Sequence, residues 1–414
     1  MIYTQKRRPK KGARKFSAKR TNNRNRRGGK RGNKKEAINP ARFVKTACTK
    51  TVEEYVAQNK FSDFDVAPIL KKNIASRGFK EPSPIQDQSI PSGLEGRDVI
   101  GIANTGTGRT MAFAIPVLDK LLKNTQSRAI IIAPTRELAQ QILEEIKTLT
   151  RGGKLYHALL IGGASMHIQL KDLRKNPRIV IGTPGRIQDH IQKKKLDLNK
   201  FDTVALDEVD RMLDMGFIKD TRSILGKLNK KRQSFFFSAT MEDSVRTLIN
   251  DFSNNPIMIS VKTGDTCDNV EQNIVKYKSD DQKIEKLHEI LNDNRNNKVL
   301  IFDVTKRGVD KLSKKLVKRG FRADAIHGNK SQRQREKALA RFKANQTTIL
   351  VATDVAARGI DVPDITHVIN YSTPQSYDDY VHRIGRAGRA GKSGHALTFV
   401  AAAGFRLQRR RHSR

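Results

Sequence analysis

The amino-acid sequence predicts an α/β protein of two domains, each built on a parallel sheet covered by helices. Its 414 residues suit two or three domains. Short continuous runs of Val, Ile, Leu and Phe alternate with stretches of helical spacing, first over residues 60–260 and again nearer the end of the chain. Such runs are typical of strands buried on both faces, as in parallel sheets. We therefore expect ligands at the carboxyl ends of the strands.

Two series of apolar runs mark the candidate strands. A polar, Gly-containing stretch over 260–273 has no clear apolar period and separates the series, which predicts an interdomain linker. After the first strand, apolar residues at helical spacing predict a helix over 111–122. The first series is Asp98–Ile102, Ala129–Ile132, Ile179–Ile181, Val204–Leu206 and Ser234–Phe237, and the second is Val299–Phe302, Thr348–Val351, His367–Ile369 and Ala396–Val400.

The ends of the chain differ from its centre in composition. The first 35 residues are rich in Lys, Arg, Gly and Asn and contain no acidic residue. Such a segment cannot bury enough apolar surface to offset chain entropy, so we expect it to be disordered and to contact phosphate backbones. The expected divisions are a basic arm at 1–50, a first domain at 51–260, a linker at 261–273, a second domain at 274–401 and a basic tail at 402–414.

The composition limits the partners and the compartment. A formal net charge of +39 implies a polyanionic partner. No apolar run is long enough to cross a bilayer, and the N-terminus lacks the apolar centre of a secretory signal. Cys48 and Cys267 lack metal-site spacing, which favours a reducing compartment. We expect a cytoplasmic monomer, although the basic cluster at 6–11 could act as a nuclear address in a eukaryote.

A glycine-rich loop between the first predicted strand and helix is typical of phosphate binding. The pattern A-x-x-G-x-G-K-T needs glycines for a tight turn that points N–H groups at phosphate oxygens, and a threonine whose hydroxyl reaches Mg²⁺. The lysine of this pattern is replaced by Arg109. The motif therefore predicts nucleotide binding and leaves the rate of hydrolysis open. Its residues are Ala103, Asn104, Thr105, Gly106, Thr107, Gly108, Arg109 and Thr110.

An acidic string follows the strand Val204–Leu206 at its carboxyl end. Asp207 can hold Mg²⁺, largely through water, and Glu208 can orient and deprotonate an attacking water. Paired acids are common on protein surfaces, but their position about a hundred residues after a phosphate loop favours the functional interpretation. In the second half, residues 382–389 (H-R-I-G-R-A-G-R) place three arginines among small residues. These arginines could reach a transferring phosphoryl group or simply contact RNA phosphates.

These motifs, in this order, resemble those of the DEAD-box ATP-dependent RNA helicases of superfamily 2, over roughly residues 60–400. Residues 78–86 (G-F-K-E-P-S-P-I-Q) match the family's Q motif, and Phe61 holds the upstream aromatic position. The resemblance implies two RecA-like domains that bind ATP, Mg²⁺ and single-stranded or short duplex RNA with little sequence specificity. It further implies that Gln86 reads the adenine edge, since an amide both donates and accepts, and that Phe79 packs near the base.

The resemblance also assigns roles to the remaining motifs. Arg386 and Arg389 would be the arginine fingers, and Gly359 and Asp361 would contact the nucleotide. Asp210, Ser238, Ala239, Thr240, His382 and Arg383 would couple the two domains. The RNA contacts implied in this way are Pro134, Thr135, Arg136, Gly162, Gly163, Thr183, Pro184, Gly185, Arg186, Gln332, Arg335, Thr353 and Asp354.

Three positions depart from the family pattern. Val209 replaces the alanine of D-E-A-D, a change that we expect to be mild, and Ala387 replaces a threonine of the arginine motif, which loses a hydroxyl but no charge. Arg109 matters more, because a guanidinium is planar and broader than an ammonium. Losing one well-placed electrostatic donor costs on the order of 10²–10³ in rate.

The residues thus predict an RNA-dependent ATPase that unwinds short RNA duplexes or remodels ribonucleoprotein, with turnover impaired by Arg109. The alternative is an ATP-gated RNA clamp or RNA chaperone with little hydrolysis, which Arg109 and the basic tails favour. A DNA translocase of the same superfamily is disfavoured by the Q motif and by the D-E-x-D string.

Overall fold

A computed structural model of the chain describes residues 38–46, 55–104, 106–261, 269–293, 298–357, 362, 364–388 and 393–402. Most of the predicted basic arm and tail, part of the linker, and the site residues Thr105, Gly359, Asp361 and Arg389 lie outside this part of the chain. Within it, none of the helices is long and apolar enough to cross a membrane.

The first domain is a sheet of parallel strands with helices on both faces, as predicted. Among the described residues its strand order is β3-β4-β2-β5-β6-β1-β7. The strands are β1 Val99–Ile102, β2 Ala129–Ile132, β3 His157–Leu160, β4 Ile179–Gly182, β5 Thr203–Leu206, β6 Gln233–Ser238 and β7 Ile257–Ser260. The helices are α1 Pro68–Ala75, α2 Pro84–Leu94, α3 Arg109–Lys123, α4 Arg136–Leu149, α5 Met166–Arg174, α6 Pro184–Gln192, α7 Val209–Asp214, α8 Ile218–Gly226 and α9 Asp243–Phe252.

The second domain repeats this architecture. Its described strands are also parallel, in the order β10-β11-β9-β12-β13-β8. The strands are β8 Val270–Tyr277, β9 Lys298–Phe302, β10 Ala323–Ile326, β11 Ile349–Ala352, β12 Ile365–Asn370 and β13 Gly394–Ala401. The helices are α10 Asp280–Asp293, α11 Lys306–Lys318, α12 Gln332–Lys343, α13 Asp354–Ala357 and α14 Tyr377–Ile384.

The interior strands were predicted from the sequence, and the edge strands were not. β2, β4, β5, β9 and β11 are buried along their whole length, so each reads as an unbroken apolar run. The missed strands β3, β7, β8 and β10 are the edges of the two sheets. Each is partly exposed, and polar residues interrupt the apolar pattern of β8 and β10.

Strand β8 also corrects the predicted linker, because residues 270–273 belong to the strand. A second difference concerns the predicted arm, whose described residues 38–46 pack against the second domain. Phe43 is fully buried beside Tyr380, with ring centroids 4.7 Å apart, and the Arg42 guanidinium lies 3.8 Å from the ring centroid of Tyr377. Lys45 pairs antiparallel with Gln272 of β8. This short packed segment was not predicted, because the strongly basic composition of the arm indicates disorder.

Candidate nucleotide and RNA site

The phosphate loop connects β1 to α3 at the carboxyl edge of the first sheet. Gly106 and Gly108 have φ values of +86° and +90°, a region that favours glycine. The loop is held from the Q motif: the Ser83 hydroxyl donates to the Thr107 carbonyl at 2.7 Å, and Gln86 Nε2 donates to the Gly108 carbonyl at 3.0 Å. A Cβ on Gly108 would lie 2.2 Å from Gln86 Nε2. The turn therefore depends on glycine for its dihedral angles and for its contact with Gln86.

Gln86 connects the Q motif to the phosphate loop in this structure. Its Oε1 accepts from the Ser83 backbone N–H at 3.0 Å while Nε2 holds the Gly108 carbonyl, so the amide supports the loop. Phe79 remains suited to a base, since it is 39% exposed and is backed by Phe61 at a centroid distance of 6.2 Å. Adenine recognition by Gln86 stays a prediction.

Arg109 lies between the loop and the acidic string, and all three charged groups are buried. Its Nη2 is 3.3 Å from Asp207 Oδ1 and 3.4 Å from Glu208 Oε1, and Nη1 donates to the Ala103 carbonyl at 3.2 Å. The three side chains are only 3–5% exposed. The Arg109 guanidinium therefore bridges the phosphate loop and the two acids. It occupies the position that the lysine of the family pattern would hold.

The titration of these groups follows from burial and from their mutual charges. Burial raises the pKa of Asp207 to about 6, although the positive charge of Arg109 opposes the shift. Burial lowers the pKa of Arg109, but the charges of Asp207 and Glu208 outweigh it and the net shift is upward. Arg109 is thus a permanent cation beside an acid that titrates near neutrality.

The acids also fit a magnesium ion. Glu208 Oε2 is buried and has no hydrogen-bond partner among the described residues, and Asp207 and Thr110 line the same cavity. Carboxylate and hydroxyl oxygens are ligands that Mg²⁺ prefers, with water and phosphate supplying the rest. Glu208 adopts a left-handed conformation with φ +56°, which is rare outside glycine and typical of functional turns. The residues therefore suit a site of the kind predicted.

The cavity that contains these groups is shared by both domains. It has a volume of about 710 Å³ and is lined by the phosphate loop and the acids of the first domain together with Gln332 and Arg386 of the second. Arg386 is 6% exposed. An arginine of the second domain therefore lies at the nucleotide cavity of the first, where a finger would act. Its role as a finger stays a prediction.

Asp210 connects the acidic string to the end of β6. Its Oδ2 accepts from the backbone N–H groups of Ala239 and Thr240 at 3.0 and 3.1 Å and from the Thr240 hydroxyl at 3.4 Å. The Ser238 hydroxyl accepts from the Asp210 backbone N–H at 3.3 Å. The structure therefore joins the predicted coupling residues of the first domain into one network.

Arg383 does not face that network, contrary to prediction. It is 2% exposed, and its guanidinium binds Asp354, Asn370 Oδ1 and the Ser372 carbonyl within the second domain. The reason is that Arg383 lies on α14, which packs over β12, so its side chain enters the domain's own core. Asp354, predicted to contact RNA, is engaged by Arg383. His382 lines a small cavity with Arg383 and Arg386, and its buried Nδ1 has no described hydrogen-bond partner.

The predicted RNA contacts of the first domain come together at neighbouring strand ends. Loops after β3, β4 and β2 follow adjacent strands, so their residues meet at one edge. A Cβ on Gly163 would lie 2.2 Å from Arg136 Nη1, and Arg186 Nη1 donates to the Ala164 carbonyl at 3.3 Å. Thr135 is 4% exposed and its hydroxyl caps α4 by accepting from the Leu138 N–H, and its RNA contact stays a prediction. The edge also includes Pro134, Gly162, Thr183, Pro184 and Gly185.

In the second domain, Arg335 and Gln332 lie on the first turns of α12 and face the first domain. Arg335 Nη2 is 2.6 Å from Glu137 Oε1, and these side chains are 7% and 3% exposed. Burial raises the pKa of Glu137, against the effect of Arg335. Arg335 therefore forms an interdomain ion pair here, where an RNA contact was predicted. Glu137 was missed as a functional residue, although it lies within the P-T-R-E-L-A motif. Thr353 is buried at the end of β11.

Two parallel α/β domains that enclose a phosphate loop, an acidic pair and an arginine define the class of two-domain nucleotide-dependent motors. The DEAD/DEAH box helicase model matches residues 83–248, and the helicase conserved C-terminal domain model matches residues 282–391. The chain belongs to the DEAD-box ATP-dependent RNA helicase family.

Relatives and solved structures agree with this assignment. The ATP-dependent RNA helicase CshA of Listeria monocytogenes is 45% identical over 82% of this chain and 66% of its own length, and the Bacillus subtilis CshA is 43% identical over 82% and 69%. The chain thus spans about two thirds of these relatives. S. cerevisiae Dbp5 bound to RNA and ADP BeF3 superposes with a TM-score of 0.74, at 30% identity over 83% of this chain and 89% of that one. Mss116p bound to ssRNA and AMP-PNP gives a TM-score of 0.73, at 30% identity over 81% and 73%.

Proposed function

We propose that the chain is an RNA-dependent ATPase that separates short RNA duplexes or remodels ribonucleoprotein as its two domains close around ATP and single-stranded RNA. The observation that carries this proposal is the cavity lined by the phosphate loop, Asp207, Glu208 and Arg386, because groups of both domains line it together. Closure around ATP would then bend bound RNA, and product release would reopen the cleft.

Each residue of this cavity would have its own part in ATP hydrolysis. Magnesium, when bound, would be held by Asp207 and Thr110 and would neutralise charge on the phosphates. Glu208 has the unpartnered carboxylate oxygen that could accept a proton from the attacking water. Arg386 would stabilise the charge that develops on the transferring phosphoryl group. Phe79 and Gln86 would hold the adenine, with Gln86 exchanging a contact with the loop for one with the base.

RNA would bind along the edge formed by the loops after β2, β3 and β4. Arginines and backbone N–H groups at this edge can follow a sugar-phosphate backbone without reading bases. That Dbp5 and Mss116p have been solved with RNA or ssRNA supports an RNA strand in this position. The basic arm would add sequence-independent affinity. Removing residues 1–35 should therefore weaken binding and flatten its salt dependence, whereas an unchanged slope would show that the arm does not touch RNA.

The test is phosphate release from Mg-ATP with and without single-stranded RNA, together with strand separation of a short duplex. We expect RNA to stimulate phosphate release and ATP to drive strand separation. Glu208→Gln keeps the size of the side chain and removes the base, so it should abolish turnover while retaining nucleotide binding. Absence of both activities in the unmodified chain would refute the proposal.

A second candidate is a nucleotide-gated RNA clamp with little turnover, which the buried bridge between Arg109 and the acids favours. If the guanidinium holds Asp207 and Glu208 during the reaction, hydrolysis is slow and the closed state persists. Dissociation of labelled RNA after dilution separates the two candidates. A clamp retains RNA for equally long times with ATP and with a non-hydrolysable analogue, whereas an active helicase releases it faster with ATP.

A further inference from the structure

Two buried polar side chains lie behind the RNA edge of the first domain and have no role in the nucleotide chemistry. Gln169 on α5 is 3% exposed and His190 on α6 is fully buried. Burying polar groups is costly unless they are hydrogen-bonded, so a buried pair usually serves a specific arrangement. Both residues belong to helices that follow RNA-edge loops, since α5 follows the Gly162-Gly163 loop and α6 begins directly after Thr183.

The hydrogen bonds of Gln169 connect the Gly162-Gly163 loop to α6. Its Nε2 donates to the Ile161 carbonyl at 2.9 Å, and Ile161 directly precedes Gly162. Its Oε1 is 3.1 Å from His190 Nε2, a distance at which the ring nitrogen must donate, because an amide oxygen can only accept. Burial, with the nearby charge of Arg186, lowers the pKa of His190 and so favours the neutral ring, and the contact with Gln169 Oε1 requires the tautomer protonated on Nε2.

The Gly162-Gly163 loop is also hydrogen-bonded to α6 on the side that follows the two glycines. The Ala164 carbonyl, directly after Gly163, accepts from Arg186 Nη1 at 3.3 Å. Arg186 and His190 are four residues apart on α6 and so lie on one face, one turn from each other. The carbonyls on both sides of the glycine pair are therefore fixed to α6, one directly through Arg186 and one through Gln169.

We infer that Gln169 and His190 are positioning residues for RNA: they fix the Gly162-Gly163 loop to α6, so that this loop and the Thr183–Arg186 turn form one rigid surface for the RNA backbone. The inference rests on the proposed function, since it assigns a role within its RNA edge. Two adjacent glycines are otherwise the most flexible part of the edge, and RNA would have to order them on binding.

The test compares Gln169→Met with Gln188→Met in the full chain. Gln188 lies on α6, the helix of His190, and makes a bond of similar length, 3.2 Å to the Ser223 hydroxyl on α8, but it makes no bond to the Gly162-Gly163 loop. We expect Gln169→Met to weaken binding of labelled single-stranded RNA about tenfold, since the loop must be ordered on binding. The KM for ATP and the turnover at saturating RNA should stay unchanged, and Gln188→Met should bind RNA like the unmodified chain.

Hydrogen exchange of the amides at 162–164 supplies the readout that distinguishes positioning from general stability. Faster exchange confined to these amides, together with weaker RNA binding, supports the inference. Faster exchange with unchanged RNA affinity would overturn it, as would parallel losses in RNA and ATP binding. If Gln169→Met does not fold, His190→Leu against His190→Gln makes the same comparison, because Gln restores a donor to Gln169 and should restore RNA affinity. Failure of the proposed function would instead appear in the unmodified chain, as RNA binding without stimulated ATP hydrolysis.

Discussion

Arg109 in the first domain and Arg383 in the second are both buried arginines beside carboxylates, yet their surroundings differ. Arg383 makes contacts of 2.5–3.1 Å to Asp354, Asn370 and the Ser372 carbonyl. Arg109 makes only longer contacts, 3.2–3.4 Å, and one oxygen of its partner Glu208 has no hydrogen-bond partner among the described residues. Arg109 also lines a cavity of about 710 Å³.

The difference indicates which cation is structural and which is functional. A buried guanidinium with short bonds in a planar fork is fully satisfied and stabilises the fold of its domain. A buried cation with long bonds beside an unsatisfied carboxylate is arranged for a ligand that supplies the missing contacts. By this criterion Arg383 is part of the scaffold, and we propose that Arg109 and its acids belong to a nucleotide site.

The largest expected effect is on turnover at Arg109. Arg109→Lys should raise RNA-stimulated ATP hydrolysis by on the order of 10²–10³, because an ammonium fits the phosphate as a point charge. Steady-state phosphate release measures this. The same change at Arg383 is the control, since it should lower stability and leave turnover no higher. Equal rates for Arg109→Lys and the unmodified chain would show that the guanidinium is harmless.

The next effect is on the stability of the second domain. Arg383→Met should lower the free energy of unfolding by about 3 kcal/mol, because it leaves Asp354 and Asn370 without their partner. Urea unfolding followed by circular dichroism measures the change. A loss below about 0.5 kcal/mol, the usual range for surface substitutions, would mean that Arg383 is not part of the scaffold.

Asp207 makes the comparison depend on pH. Its pKa is raised to about 6 in the folded chain, from a value near 4 in the unfolded chain. The protonated carboxyl of Asp207 therefore stabilises the folded state below about pH 4, and this contribution is lost as the pH rises through 6. Asp207→Asn should therefore be more stable than the unmodified chain at pH 7, by about 2 kcal/mol, with the difference vanishing near pH 4. Urea unfolding at several pH values tests this. A difference that does not vary with pH would exclude the titration of Asp207 as its cause.

In the unmodified chain, kcat/KM for ATP should fall as the pH drops below about 6, since protonated Asp207 holds magnesium poorly. A profile that stays flat down to pH 5 would contradict this assignment.

The smallest expected effect concerns the hydrogen-bond network around Asp210. Its carboxylate, like the guanidinium of Arg383, has several hydrogen-bond partners. Thr240→Val removes only the long hydroxyl bond of 3.4 Å, so the free energy of unfolding should fall by less than about 1 kcal/mol. Asp210→Ala is the matched comparison and should cost more, because it leaves the Ala239 and Thr240 N–H groups without their acceptor. Equal losses in urea unfolding would show that the network is not centred on Asp210.

Sequence reasoning reaches furthest where contiguous residues determine the local structure. The phosphate loop, the acidic string and the interior strands depend on contiguous residues: glycines that permit positive φ, acids at a strand end, and apolar runs buried on both faces. The edge strands β8 and β10 were missed because partial exposure admits polar residues that break the apolar run. The docked segment around Phe43 was missed because its basic neighbours dominate the composition.

The sequence by itself determined the class of fold and the family, since these depend on motifs whose residues are neighbours in the chain. The roles of single residues in the nucleotide chemistry stay predictions. Only the tertiary structure decided which partner each charged side chain takes. Arg383 binds Asp354, and Arg335 pairs with Glu137. Gln169 is hydrogen-bonded to His190 and to the Ile161 carbonyl. The physical reason is that a buried polar group must find a partner within hydrogen-bond reach, and which groups are within reach is set by how strands and helices pack rather than by their order in sequence.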